Sequence, residues 1–160
     1  MRKVLIVVVL LLSGCATNYK QPTSGKVATL VVKHLGEIPS STAVSVFSSA
    51  TCSKETFLGQ IADAGRSIDN WKPEVTAKIE SGCERFLAIN QWWVKTNEYE
   101  KVNYHCTNLV GFIPVEGKTY VIKQKQLSFG GCSAEIIDSS SGVPPTDIKI
   151  YNANDMCTLY

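Results

Sequence analysis

The chain has 160 residues, with 16 Lys and Arg against 14 Asp and Glu and only two His. That length accommodates one domain with a short extension. The near-balanced charge carries no basic face, polybasic tail or acidic run, so it excludes a nucleic-acid partner.

The amino terminus opens with Arg2 and Lys3, followed by nine consecutive Val, Leu or Ile residues from Val4 to Leu12. As a helix this run spans about 14 Å, roughly half a bilayer core. It is too short for a membrane span and has the form of a signal-peptide apolar region. The junction that follows, Leu12-Ser13-Gly14-Cys15, resembles the lipobox of bacterial lipoproteins. The resemblance implies cleavage before Cys15, lipidation of Cys15 and anchoring to a membrane of the cell envelope. Several acyl chains hold far more firmly than one, at about 0.8 kcal/mol per buried CH₂. Ala16, rather than Asp, at the next position implies the outer membrane facing the periplasm, or the cell surface. Residues 1–14 are then the signal peptide. Loss of Arg2 and Lys3 from 16 basic residues leaves 14 against 14 acidic ones in the mature chain. Residues 15–25, polar and containing Pro22 and Gly25, follow as the lipidated terminus and a flexible tether. The domain is expected over 26–160.

Within that domain apolar and polar residues alternate over short stretches bounded by Gly, Pro and Ser, the pattern of an all-β fold. Val27 to Leu35 is a β-branched run, and Ala43 to Ser48 puts Val44 and Val46 on one face. Glu55 to Ser67 is ambiguous: Ser53 as a cap and Phe57, Leu58 and Ile61 on one side suit a short helix, but Gly59 and Gly65 weaken it. Val75, Ala77 and Ile79 alternate with Thr76, Lys78 and Glu80 as a half-buried strand. Arg85 to Lys95, Val102 to Ile113, Lys118 to Lys125, Cys132 to Asp138 and Asp147 to Tyr151 complete the series. About nine strands at this spacing predict an antiparallel sandwich or a barrel.

Ile79-Glu80-Ser81-Gly82 ahead of Phe86, then Phe112-x-Pro114-x-x-Gly117-x-x-Tyr120, Cys132 and Asp138, resemble small bacterial lipoproteins with a transthyretin-like or immunoglobulin-like β-sandwich. Ser81 stands where Ala is common in that group. Physically, Pro114 ends a strand because it cannot donate to a ladder, and Gly117 permits positive φ. Tyr120 can then pack its ring while its hydroxyl reaches loop backbone, as in immunoglobulin-type corners.

With Cys15 lipidated, Cys52, Cys83, Cys106, Cys132 and Cys157 remain in an oxidising compartment. Two disulfides and one free thiol are expected. If the Pro114 to Gly117 turn closes a hairpin, Cys106 and Cys132 stand two strands apart, about 9.5 Å, beyond the reach of a disulfide. The favoured pairing is Cys132 with Cys157, and Cys52 with Cys83 or Cys106. No Cys-x-x-Cys or His-x-x-x-His supports a metal, and no cofactor is implied. His34 and His105 lie outside any nucleophile, phosphate-loop or zinc-protease motif. Trp92 and Trp93, adjacent on a strand, must point to opposite faces. An outward tryptophan beside Tyr99 and Tyr104 suits stacking on a sugar or anchoring a partner; a second covered sheet face is the alternative. The expected role is a non-catalytic binding or accessory module, or a glycan- or peptidoglycan-associated one. A small envelope enzyme is the third reading.

Overall fold

The computed structural model of the chain describes residues 18–34, 40–64, 72–96, 100–127 and 131–151. These form nine strands: β1 (Val27–His34), β2 (Ser40–Phe47), β3 (Phe57–Ala64), β4 (Glu74–Glu80), β5 (Arg85–Thr96), β6 (Lys101–Phe112), β7 (Thr119–Gln126), β8 (Cys132–Asp138) and β9 (Lys149–Tyr151). The fold is an all-β sandwich. One sheet has the order β4-β1-β7-β8 and the other β3-β2-β5-β6-β9. Every pairing is antiparallel except that of β1 with β7. A constant-type immunoglobulin sandwich keeps its first, second, fourth and fifth strands in one sheet. Here β1 and β2 lie in opposite sheets, so the order departs from that type.

The period-two pattern decides which side chains face in. Ala28, Leu30 and Val32 of β1 join Ile79, Ile122 and Ile136 of the same sheet. They meet Val44, Val46, Leu87, Ile89, Val110 and Phe112 of the other. On β5 even the outward Phe86 and Ala88 are buried. A second apolar cluster of Phe47, Cys52, Phe86, Ala88 and Leu109, flanked by Ala50, Phe57 and Tyr151, covers that half of the outer face.

The segment that suited either a short helix or a strand is β3. Gly59 takes φ 129°, and a Cβ there would lie 2.4 Å from the Cα of Tyr19. The glycine that weakens a helix thus admits the chain at Asn18 and Tyr19, and the Tyr19 N–H donates to the Gln60 carbonyl at 2.9 Å. The polar stretch after Cys15 is therefore held on the domain from Asn18 onward. Asn18 bridges Gln60 in parallel with β3, and Gln21 accepts the Lys78 N–H of β4 at 2.8 Å.

Pro114 to Gly117 carries the chain from one sheet to the other instead of closing a hairpin, since β6 and β7 lie in different sheets. The Tyr120 hydroxyl accepts the Val115 N–H at 3.0 Å, and its ring meets Phe112 edge-on at 5.0 Å. Gly117, at φ 75°, donates its N–H to the Val27 carbonyl at 2.8 Å. This corner overturns the expectation that Cys106 and Cys132 are out of reach. They face one another across the sandwich and form a disulfide with a Cα separation of 6.1 Å.

Candidate functional site

The strand registers set rows of side chains across the outer face of the five-stranded sheet. Ser41, Trp92 and His105 form one row, and Ala43, Asn90 and Thr107 the next. The second cluster covers the neighbouring part of this face, but Trp92 remains 41% exposed and His105 is exposed. The Thr107 hydroxyl donates to the Asn90 side-chain carbonyl at 2.6 Å, fixing the amide beside the indole. A broad aromatic surface bordered by an ordered amide, a hydroxyl and an imidazole can stack on a planar or ring-shaped ligand and hydrogen-bond its rim.

Trp93 faces the other way and is 2% exposed. Its ring stacks on Tyr104 at 5.3 Å and 12°, with the Lys95 ammonium 5.6 Å from the Tyr104 centroid. Tyr104 therefore supports the buried tryptophan and does not extend the exposed one, contrary to expectation. Tyr99 lies outside the described residues.

His34 continues the inward series Ala28, Leu30, Val32, so the alternation of β1 itself takes it into the interior. Its Nδ1 lies 2.9 Å from the Thr42 hydroxyl and its Nε2 2.6 Å from the Ser40 hydroxyl. Burial pushes the imidazole pKa below its ordinary value. A serine hydroxyl on an imidazole has the spacing of a nucleophile and its base, but Ser40 is 1% exposed. Its oxygen is sealed from any substrate, and the contact serves to satisfy buried polar atoms. Gln91 and Gln124, both 0% exposed, belong to the same inward polar layer. Gln91 pairs in register with Thr42 and Cys106, and Gln124 with His34. The expectations drawn from motifs did not single out Ser40, Thr42, Gln91 or Gln124, although each occupies a core-facing step of its strand. Among the described residues, no three His, Cys, Asp or Glu converge to hold a metal.

The cysteines pair otherwise than favoured from sequence. Cys132 bonds Cys106, not Cys157, and Cys83 is free. Cys52 is disulfide-bonded, with neither Cys83 nor Cys106 as its partner. Cys15 and Cys157 lie outside the described residues. The Cys132 sulfur also receives the Gln124 amide at 2.9 Å and the Asn108 amide at 3.0 Å.

At the β3 and β4 edges, Asn18, Tyr19, Gln60, Val75 and Ala77 line a cleft of about 230 Å³. That is smaller than the roughly 300–1,000 Å³ of small-molecule sites. It marks where the incoming chain docks. A scan against protein-family models and a search of curated proteins each found no match to the chain.

Proposed function

We propose that the chain is a lipid-anchored, non-catalytic envelope protein whose transthyretin-like sandwich works as a binding or accessory module. The observation that carries this reading is Trp92, left exposed within a row of hydrogen-bonding side chains on the uncovered half of a sheet face. Large aromatics are the residues on which binding energy concentrates. The lipobox resemblance at Leu12-Ser13-Gly14-Cys15 supplies the anchor and the envelope setting. Both rest on residues outside the described ones.

A glycan or peptidoglycan fragment is the second reading. Asn90, Thr107 and His105 favour it because they offer donors and acceptors around the indole, the surroundings a sugar ring requires.

Titration of the folded domain with soluble peptidoglycan fragments and neutral oligosaccharides, followed by tryptophan fluorescence and amide shifts, tests both. Shifts centred on Trp92, Asn90 and His105 and abolished by Trp92→Ala support the glycan reading. If that reading fails, photo-crosslinking from position 105 in intact envelopes tests the broader one. A crosslinked adduct that Trp92→Ala removes supports a binding face, and crosslinking unaffected by Trp92→Ala overturns it. Cys15→Ser should abolish lipid labelling and membrane association. An intact mass showing an unmodified mature terminus elsewhere would overturn the anchor.

A further inference from the structure

One end of the sandwich gathers the β2–β3 connection and the loops 81–84, 113–118 and 139–148. Phe112, Arg85, Phe47 and Phe57 align there in one sheet. Val27, Glu80, Thr119 and Asp138 mark the same end of the other. The loops are tied together by backbone bonds from Gly82 to Pro114, Gly117 to Val27 and Ser139 to Thr119.

This end is unusually apolar. Seven large hydrophobic side chains are exposed among the described residues, and five are here or on its flanks: Leu58, Ile113, Val115, Val143 and Ile150. Ile113, Val115 and Val143 occupy the loops themselves, between 43% and 56% exposed. Clustered apolar side chains on loop tips indicate contact with something apolar. The charges around them nearly balance: four ion pairs stand beside Lys54 and Glu55 of the β2–β3 connection and Asp147 of the 139–148 loop. Lys26 meets Glu116, Lys118 meets Asp138, Lys149 meets Glu84, and Arg85 meets Glu80.

The amino-terminal segment supplies an independent direction. Asn18 is fixed on Gln60 in parallel with β3, so the chain enters the domain from the Phe57 side, which is this same end. Only Ala16 and Thr17 separate Asn18 from Cys15. Three residue steps reach at most about 11 Å. Gln60 itself stands three residues, about 10 Å, inside the Phe57 end of β3. A lipid on Cys15 would therefore emerge beside the apolar loops, on a leash too short to let the domain stand away.

We propose that this end is a membrane-contact surface, with Ile113, Val115 and Val143 seated in the headgroup region of the phospholipid bilayer that holds the Cys15 lipid. The inference rests on the reading of Cys15 as lipidated. It adds the orientation: the loop end faces the bilayer, and the opposite end, with Leu127, points away. Because the surrounding charges leave no excess of cations, contact is apolar and needs no anionic lipid.

The test uses the full lipidated chain in phosphatidylcholine vesicles. Free Cys83, in the 81–84 loop, takes an environment-sensitive fluorophore. A second protein carries the fluorophore at Leu127→Cys in a Cys83→Ser background. Spin-labelled lipid should quench the probe at position 83 several-fold more than the probe at 127, equally at low and high salt. Replacing Ile113, Val115 and Val143 together with Ser should abolish that difference while flotation persists. Equal quenching at both positions, stronger quenching at 127, or a difference that vanishes in high salt overturns the proposal. Flotation of the wild type against Cys15→Ser separately reads the anchor. A chain that floats with the wrong quenching order refutes the orientation alone, and one that does not float refutes the anchor and the orientation with it.

Discussion

Trp92 and Trp93 share a strand and differ only in the face they take. Trp93→Ala removes a buried, stacked ring and should cost about 3–5 kcal/mol, measured as a shift in the urea midpoint. Trp92→Ala should change stability by about 0.5 kcal/mol or less, so a loss of the proposed partner binding can be read without a folding artefact. His34 introduces a pH dependence. Its folded pKa lies below the ordinary 6.5 because burial penalises the cation. The neutral imidazole's contribution is complete above about 6.5 and is lost as pH falls through the lower folded value. Asp138 acts in a lower window. The Lys118 hydrogen bond, then those from Ser140, hold its carboxyl at about 2 against an ordinary 3.8. Its contribution is present above 3.8 and is lost as pH falls toward 2. Stability against pH should therefore decline in two steps. His34→Gln should flatten the upper one and Asp138→Asn the lower, each followed by thermal melting across pH. His34→Ala leaves the Ser40 and Thr42 hydroxyls without the ring and should cost about 1–3 kcal/mol.

The strands show how far pattern alone reaches. β8 takes the expected bounds Cys132–Asp138, and β1, β4 and β7 follow clean alternations of apolar and polar residues. β3 was obscured because its sequence, Phe-Leu-Gly-Gln-Ile-Ala-Asp-Ala, mixes both periods around a glycine. The reason for that glycine is a neighbour about forty residues earlier in the chain, which no local pattern can register. Gly59→Ala should accordingly displace the Asn18–Tyr19 segment and destabilise the fold by more than about 1 kcal/mol, with faster proteolysis amino-terminal to Lys26 as the readout. The Pro114 to Gly117 corner had its turn chemistry legible and its destination hidden. A proline, a positive-φ glycine and an anchoring tyrosine specify a change of direction, but whether the next strand joins the same sheet is decided by packing. The disulfide expectation failed at that point. Of the exposed row, the opposed tryptophans were legible from strand geometry, whereas the neighbours Asn90, Thr107 and His105 required the register.

At the scale of the whole molecule, the Cys106–Cys132 bridge ties the two sheets together across a sequence separation of 26 residues. By loop-closure entropy such a bridge contributes about 3–4 kcal/mol, so Cys106→Ala with Cys132→Ala should lower the melting temperature markedly. Alkylation of the native protein should label Cys83. Cys52 has its partner outside the described residues; if Cys15 carries lipid as proposed, peptide mapping should recover Cys52 joined to Cys157. A Cys52–Cys15 peptide would contradict both that pairing and the lipid anchor. The parallel pairing of β1 with β7 has a consequence in time. β1 lies between β4 and β7, so the first strand to be synthesised cannot complete its ladder until the seventh has been made. Distant pairings of this kind are slow to form and leave strand edges open meanwhile. The nascent chain thus carries an open strand edge during most of its synthesis, and slowing translation of its carboxy-terminal half should raise aggregation more than slowing that of its beginning.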